Sequence, residues 1–423
     1  MGCRAVRGAT GAPVAVHHES AADRPLSLMS MRGKKDIWLV GSDDIRLRIP
    51  YVLELRRRGF DVTMVGSEPP DPFGAHEIPY HRYSLSRALD PLADWRAYRE
   101  LLALFRDHRP SVVHAFDTKP GILASLAARR AGVPVRLRTL TGMGYVFSSC
   151  SPLALLLRPV DHLMQAVASR VASLTIFQNR DDQAYFLRHR LARADASELV
   201  PGSGIDVELL RSQRPSAEAL AALRRELGID GEVVVTMVSR LVRTKGVAEY
   251  CAAAGAIRRE RPDCTFLLVG PVSSEGWQAV PQSEVEGNPN VRWLGPRPDV
   301  PALLAISDVF ALPTFYREGI PRVLLEAGAM GLPLITTDMP GCRDVVRDGW
   351  NGILVPPRNV RALTVGLLAL LDAKRDALRQ MGANSRTHVE QHFTLDLITD
   401  AYADIYRRAL YRTSGRAAIP ALP

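Results

Sequence analysis

The sequence predicts an α/β protein in which two doubly wound parallel sheets face a central cleft. Three observations support this prediction. Short apolar runs alternate with helical patterns in both halves of the chain, and the alternation restarts after a polar helix near the middle. The chain has 423 residues, which is enough for two domains of ordinary size. Because strands that alternate with helices run parallel, both faces of each sheet are expected to be covered.

The first series of predicted strands defines a first Rossmann-like domain, 36–205. The strands are expected at 37–41, 61–66, 111–116, 135–140, 174–179 and 197–206. The helices between them are expected at 48–58, 98–108 and 121–132. Residues 1–35 contain few large apolar side chains, so we predict a disordered tail there.

The second series follows the polar helix predicted at 216–228 and defines a second Rossmann-like domain, 206–395. Its strands are expected at 233–239, 265–270, 291–295, 309–314, 333–338 and 352–356. The hinge between the domains is expected at 204–215. The amphipathic run 395–412 predicts a last helix, and we expect the segment 396–415 to fold back onto the first domain.

Charge and composition restrict the partners of the protein. The net charge is +9, and 28 basic against 20 acidic residues in 1–204 account for most of it. A basic half is typical of proteins that meet polyanions or membrane surfaces, although ordinary arginine usage explains it equally well. The charge comes without a nucleic-acid-binding signature, so we predict no nucleic-acid partner. The longest apolar run is too short for a spanning helix, and the five scattered cysteines lack metal-ligand spacing.

A basic loop in the second half has the pattern of a diphosphate site. The run VVVTMVSRLVRTKGVAEY, 233–250, is a strand, a loop and a helix. Arg240 and Lys245 bracket the loop, and Gly246 opens the helix. The N-terminus of a helix offers free N–H groups and a partial positive charge, and two cations add to both.

Two acids stand around one predicted helix in FYREGIPRVLLEAGAM. The helix is expected at 320–330, with Pro321 in its first turn and Gly319 allowing close approach of the backbone to a ligand. Glu326 has apolar neighbours along the chain, and such a carboxylate can accept both hydroxyls of a ribose. Glu318 would face whatever lies beyond the phosphates. A chance pair on a helix surface is the alternative, and the basic loop upstream weakens it.

These segments resemble the retaining GT-B glycosyltransferases of family 4. The resemblance rests on SRLVRTKG and on LPTFYREGIPRVLLEAGAMGLPLITTDMPGCRDVVRDGWNGILVPP in the second half. The runs 117–148, 177–182 and 200–206 resemble the subgroup that acts on undecaprenyl-diphosphate-linked sugars, such as the acetylgalactosaminyltransferase that extends diacetylbacillosamine. The resemblance implies the GT-B fold, a nucleotide-sugar donor and a lipid-linked saccharide acceptor, without a cofactor or a metal.

The resemblance also implies roles for individual residues. Arg240 and Lys245 match the diphosphate-binding pair, Glu326 matches the acid that holds the ribose, and Glu318 matches the acid near the donor sugar. The backbone that meets sugar and phosphate is matched by Gly319, Ile320 and Pro321, and the base is expected near 293–297.

Two positions depart from the family pattern. Ser239 stands where the family usually has glycine, and Thr141-Gly142 stands where it often has His-Gly, whose histidine touches the donor sugar. Thr141 can donate one hydrogen bond but carries no charge.

The first domain contains the candidate residues for the acceptor. Ser42 and Asp43 follow the first strand. They either contact a hydroxyl of the acceptor or belong to a solvated loop. Lys119 and Gly121 precede a helix expected to start at Ile122, which suits a lipid diphosphate or ordinary capping. The mixed apolar and basic run 151–174 fits either a membrane surface or a helix packed on its own sheet.

The sequence therefore predicts a retaining glycosyltransferase. It would move a hexose or N-acetylhexosamine from a UDP-sugar to a lipid-diphosphate-linked saccharide in cell-surface polysaccharide or glycan synthesis. We expect a cytoplasmic protein, peripheral on the inner face of the cell membrane. A sugar-nucleotide epimerase and a non-catalytic nucleotide-binding subunit of the same fold are the alternatives.

Overall fold

A computed structural model describes residues 36–86, 90–148, 152–273 and 278–413. Two parallel sheets with helices on both faces confirm the predicted α/β architecture. We call the part around the seven-stranded sheet the first lobe and the part around the six-stranded sheet the second lobe. Residues 1–35, for which a disordered tail is predicted, lie outside the described residues, as do Ser151 and residues 414–415.

Most strands lie within two residues of their predicted positions, but the strand predicted at 197–206 ends seven residues early, at Leu199. Those of the first lobe are β1 Asp36–Val40, β2 Asp61–Gly66, β3 Tyr80–Arg82, β4 Val112–Phe116, β5 Val135–Leu140, β6 Leu174–Phe177 and β7 Ser197–Leu199. Those of the second lobe are β8 Val233–Val238, β9 Cys264–Val269, β10 Arg292–Trp293, β11 Val309–Leu312, β12 Leu334–Thr337 and β13 Gly352–Val355. The short strand β3 has no counterpart among the predicted strands.

The helices of the first lobe are α1 Ile49–Arg57, α2 Asp71–Gly74, α3 Pro91–His108, α4 Thr118–Ala131, α5 Gly144–Ser148, α6 Pro152–Val171 and α7 Arg180–Arg188. The next helices along the chain are α8 Val207–Ser212, α9 Ala217–Glu226, α10 Val247–Glu260, α11 Gln282–Glu286, α12 Val300–Ala305 and α13 Arg322–Ala329. The chain closes with α14 Cys342–Val345, α15 Val360–Leu371, α16 Arg375–His392 and α17 Leu395–Thr413.

Both sheets reverse their strand order in the middle, and this reversal positions the site. The first runs β3-β2-β1-β4-β5-β6-β7 and the second runs β10-β9-β8-β11-β12-β13. The connections therefore diverge beyond the carboxyl ends of β1 and β4, and again beyond those of β8 and β11. Ligands of doubly wound sheets bind in the crevices at such points.

Helix α3 begins seven residues earlier than the predicted helix at 98–108. The Asp90 side chain accepts hydrogen bonds from the backbone N–H groups of Leu92 and Ala93, and Pro91 occupies the first helical position. An aspartate cap followed by proline is a favoured helix start. The large apolar residues of the first turns, Leu92 and Trp95, are exposed, so they do not continue the buried stripe from which a helix is predicted.

The last helix packs against the first lobe. Tyr402 and Tyr406 of α17 lie in the same apolar cluster as Tyr51 of α1. The Tyr406 hydroxyl lies 2.6 Å from Nδ1 of His114 and 2.8 Å from the Tyr51 hydroxyl. Nε2 of His114 lies 2.8 Å from the Thr139 hydroxyl. Burial lowers the pKa of His114 well below its ordinary value, so the ring is neutral and needs both partners.

We expect Tyr406→Phe to lower the free energy of unfolding by about 1–3 kcal/mol, because a buried ring nitrogen of His114 loses its partner. Urea denaturation followed by circular dichroism measures the change. The control is Tyr98→Phe on α3, whose ring stacks on Trp95. Equal stabilities of the wild type and Tyr406→Phe would contradict the importance of this contact.

Candidate active site between the two lobes

The basic loop of the second lobe runs from the end of β8 to the start of α10. It contains the exposed Arg240 and the half-buried Lys245, and Gly246 is the N-cap of α10. Gly246 has a φ of +80°, and a Cβ there would lie 2.1 Å from the carbonyl oxygen of Pro313. Glycine is therefore required, since it lets the loop pack directly against the chain that leaves β11.

The Lys245 ammonium binds the Glu318 carboxylate. The two side chains are 18% and 12% exposed, so little water reaches the pair. The Thr314 hydroxyl lies 3.4 Å from Glu318 Oε1, and the Tyr316 ring lies 5.7 Å from the ammonium. Charges act more strongly where water is excluded, and a diphosphate placed here would meet a preoriented cation.

The segment between the two acids departs from its predicted form. Helix α13 begins at Arg322, so Gly319, Ile320 and Pro321 precede it and the expected helix at 320–330 is shorter. Pro321 is the N-cap and has an extended ψ of 110°. Ile320 precedes this proline, and a residue in that position is disfavoured in the helical region. No side chain caps the first N–H groups of α13. The arrangement leaves main-chain donors available to an anion.

Glu326 lies on α13 and lines a cavity of about 290 Å³ between the lobes. The carboxylate is 20% exposed and accepts a 2.9 Å hydrogen bond from Nε of Arg322, a partner that the sequence did not predict. The cavity is also lined by Arg48 of the first lobe and by Pro298. Pro298 directly follows the stretch expected to hold the base. The volume is at the small end of the range for ligand pockets.

An unpredicted acid, Asp117, joins the candidate residues of the first lobe. Thr141 donates a 2.5 Å hydrogen bond to Oδ1 of Asp117. The Ser42 hydroxyl lies 3.0 Å from Oδ2 of Asp117 and 2.8 Å from Oδ1 of Asp44. Asp43 is exposed beside them. Asp117 has a φ of +71°, which an L-residue rarely adopts. Its position directly after a buried strand was the available signal.

Lys119 and Gly121 are predicted to precede a helix that starts at Ile122. In the structure both lie inside α4, which starts at Thr118. The Lys119 ammonium lies 2.7 Å from Oδ1 of Asp94 and donates to the carbonyl of Ser86 at 2.9 Å. This contact holds the ammonium group against α3. Pro120 fits within the first turn because no N–H is needed there, so it does not delay the helix.

The Thr141-Gly142 segment of the first lobe meets the Glu318 segment of the second. The N–H of Gly319 donates to the carbonyl of Thr141 at 2.9 Å, and the N–H of Met143 donates to the carbonyl of Arg317 at 3.3 Å. Gly142 has a φ of +140°, and a Cβ there would lie 2.7 Å from the Arg317 carbonyl oxygen. Two predicted parts of the site are thus brought together across the cleft.

Within the described ranges no group of three or more His, Cys, Asp or Glu side chains is placed to hold a metal ion. Within the same ranges, every helix is too short or too polar to cross a bilayer.

Two family models match the chain. Residues 51–202 match the model described as "Glycosyl transferase 4-like domain", and residues 221–388 match "Glycosyl transferases group 1". The two matches correspond to the two lobes.

Characterised relatives match most of the chain. The Escherichia coli UDP-Gal:alpha-D-GlcNAc-diphosphoundecaprenol alpha-1,3-galactosyltransferase is 26% identical over 76% of this chain and 82% of its own. The Campylobacter jejuni N,N'-diacetylbacillosaminyl-diphospho-undecaprenol alpha-1,3-N-acetylgalactosaminyltransferase is 25% identical over 78% and 85%. The Staphylococcus aureus capsular polysaccharide biosynthesis glycosyltransferase CapM is 24% identical over 91% of this chain and all of its own.

Solved structures share the fold. The Anabaena protein HepE, in complex with UDP and glucose, superposes with a TM-score of 0.71 at 21% identity. The match covers 88% of this chain and 99% of that protein. The sucrose-phosphate synthase of Thermosynechococcus elongatus superposes with a TM-score of 0.74 at 21% identity, over 89% and 99%.

Proposed function

This chain is a GT-B glycosyltransferase with a glycosyltransferase 4-like first domain and a group 1 second domain, and from that premise we propose its reaction. It moves a hexose or N-acetylhexosamine from a UDP-sugar to a saccharide on a lipid diphosphate, with retention of anomeric configuration. The product serves the synthesis of cell-surface polysaccharide or glycan. The pairing of Lys245 with Glu318 beside the uncapped start of α13 is the main structural support.

The charges of the second lobe suit the departing diphosphate. Arg240, Lys245 and the N–H groups at the start of α13 stabilise the negative charge that develops on the leaving group. Main chain at Gly319, Ile320 and Pro321 lies against phosphate and sugar. Closure of the lobes excludes water, which limits hydrolysis of the donor.

The two acids have separate roles in this proposal. Glu326 faces the cavity between the lobes, and its carboxylate accepts the ribose hydroxyls there, with the base near 293–297. Glu318 is the catalytic acid side chain at the donor sugar, and it keeps the Lys245 ammonium beside the diphosphate.

The acceptor enters from the first lobe. Thr141, Gly142, Ser42 and Asp43 lie at the carboxyl ends of its strands, on the cleft side, and they approach the attacking hydroxyl. Lys119 lies on the same side, and its pairing with Asp94 makes it the weaker candidate for the lipid diphosphate.

The nature of the substrates is supported by the relatives. The Escherichia coli and Campylobacter jejuni enzymes are named for acceptors on diphosphoundecaprenol, and the first is named for a UDP-galactose donor. HepE was solved with UDP and glucose. These names agree with a UDP-sugar donor and a polyprenyl-diphosphate acceptor for this chain.

We further propose that the protein is cytoplasmic and docks on the inner face of the membrane through α6. Four of its side chains, Leu155, Leu156, Val160 and Leu163, are 50–74% exposed. Their spacing of one, four and three residues places them on one side of the helix. Helix α4 packs between α3 and α6, and these three helices carry eight basic and four acidic residues. An apolar stripe with a positive surrounding fits an anionic bilayer.

Transfer itself is tested by incubating the protein with a panel of UDP-sugars and a polyprenyl-diphosphate-linked saccharide, with products identified by mass spectrometry. We expect one donor to extend the acceptor, and Lys245→Ala to lower kcat/KM by about 100-fold or more because the leaving group loses its cation. Lys374→Ala, at an exposed position of the same lobe, is the control.

Three outcomes separate the alternatives in that assay. A new UDP-sugar formed without acceptor identifies an epimerase. UDP binding without product from any acceptor identifies a non-catalytic subunit. Equal turnover of wild type and Lys245→Ala removes the diphosphate site.

We expect different kinetic effects from Glu326→Gln and Glu318→Gln. The first replaces a charged acceptor at the ribose, so the dissociation constant of the donor rises about 10-fold with little change in kcat. The second removes a charge at the reacting sugar, so kcat falls about 100-fold while donor affinity stays similar. Titration calorimetry and steady-state kinetics measure both, and identical effects would refute this division of roles.

Docking is tested by sedimentation with phosphatidylglycerol-containing vesicles. Two exposed apolar side chains leave the lipid in Leu156→Gln/Val160→Gln, so we expect about 10-fold weaker binding. The control is Val365→Gln on α15, since Val365 and Val160 are both 59% exposed. Equal vesicle binding of the wild type and the double variant would exclude this surface.

A further inference from the structure

Asn179 connects the first lobe to the loop that carries Glu318. Asn179 follows β6 and is 1% exposed. Its Nδ2 lies 3.1 Å from the carbonyl oxygen of Glu318 and 3.2 Å from that of Gly319, both in the second lobe. Its Oδ1 accepts a 2.8 Å hydrogen bond from the N–H of Asp182 and so caps α7. One side chain therefore binds both its own helix and the opposite lobe.

The hydrogen bonds of the neighbouring main chain lead to the same loop. Arg317 and Gly319 bond through their backbone to Met143 and Thr141 of the first lobe. The Arg317 guanidinium also lies 2.8 Å from Oδ1 of Asp182, whose side chain is 1% exposed. The main chain of three consecutive residues, 317–319, is thus hydrogen-bonded to the first lobe.

Close packing on both sides leaves the loop little room to move. A Cβ on Gly319 would lie 2.1 Å from Oε1 of Gln178. A Cβ on Gly341 would lie 2.1 Å from the carbonyl oxygen of Gly319. Because the backbone is bound from the side of the first lobe, the Glu318 side chain extends away from it, to Lys245.

We propose that Asn179 is a positioning residue that makes the geometry of Glu318 depend on contact between the lobes. When the lobes separate, the carbonyls of Glu318 and Gly319 lose the Asn179 amide, and the Glu318 carboxylate loses its fixed direction toward Lys245. The donor site is then complete only in the closed protein. This inference rests on the proposed function, since it assigns Glu318 to the donor sugar.

The chemistry of the amide permits a test that keeps the helix cap. Asn179→Asp retains an oxygen for the N–H of Asp182 but has no N–H. It places a carboxylate oxygen against two carbonyl oxygens and against Oδ2 of Asp182, which lies 3.0 Å from the Asn179 amide nitrogen. Asn179→Ser retains an uncharged capping oxygen that is too short to span the cleft. Asn359→Asp is the matched control, because Asn359 caps α15 through the N–H of Ala362 at 2.9 Å and is exposed in the second lobe.

The first measurement is amide hydrogen exchange of the free, full-length protein. Gly319 and Met143 donate their N–H groups across the cleft. We expect their exchange to be about 10-fold faster or more in both Asn179 variants, because loss of a buried bond raises the population of the open form. Exchange in Asn359→Asp stays as in the wild type.

The second measurement separates positioning from folding. We expect kcat to fall about 100-fold in Asn179→Asp, as a small misplacement of a catalytic group does. The dissociation constant of UDP stays within about 3-fold, since the nucleotide contacts remain. The melting temperatures of the Asn179→Ser and wild-type proteins are compared in parallel, and retained folding with lost turnover supports positioning.

Unchanged exchange at Gly319 in both Asn179 variants overturns the proposal. So does an equal loss of kcat in Asn359→Asp, because capping alone would then explain the effect. A wild-type protein that neither binds UDP nor transfers sugar refutes the proposed function instead. The exchange comparison then still decides whether Asn179 holds the lobes together.

Discussion

A main-chain contact between the lobes organises the rest of the site. Residues 141–143 of the first lobe and 317–319 of the second lie side by side like two short antiparallel strands, joined by hydrogen bonds of 2.9 and 3.3 Å. Such a close approach of two backbones leaves no space for side chains, which is why Gly142 and Gly319 occupy it. The direction of this segment places the Glu318 carboxylate beside Lys245.

A second connection between the lobes lies where the chain crosses between them. The chain leaves the first lobe near Ile205 and returns near Phe393, and these two crossings bind each other. The N–H of Ile205 donates to the carbonyl of Phe393 at 3.0 Å, and the N–H of Leu395 donates to the carbonyl of Ile205 at 2.9 Å. Helix α17 then packs into the core of the first lobe. The lobes are thus joined by covalent crossings in one place and by non-covalent contacts at the Glu318 loop.

This division suits a transferase that must exclude water during the reaction and release product afterwards. In the proposed reaction, the crossings keep the lobes together while the contacts at Glu318 and Gly319 break and form again. Charges in the closed cleft act in a medium of low polarity, where the Lys245–Glu318 pair is worth more than in water. In the proposed opening, the same groups become exposed to solvent and hold an anion less strongly.

Prediction from the sequence worked best where one local pattern decided the structure. The strands β2 and β5 begin and end at their predicted residues, because buried parallel strands are short apolar runs between breaks. Helix starts were less predictable. Helix α4 starts three positions before the predicted residue 121, because proline is tolerated inside the first turn at Pro120. Helix α13 starts two positions after the predicted residue 320, because Pro321 ends an extended segment. The choice depends on the dihedral angles of the neighbours, which composition does not encode.

The sequence by itself determined the two doubly wound lobes and the loops at their switch points, since the carboxyl ends of parallel strands meet at one edge of a sheet. It therefore identified Lys245, Glu318 and Glu326 as candidates. Only the tertiary structure decided which charge each of them meets. Lys245 binds Glu318, 73 residues away, and Lys119 binds Asp94 of α3. Asn179 and Asp117 gained their places in the same way, because contacts between distant residues depend on how helices and lobes pack.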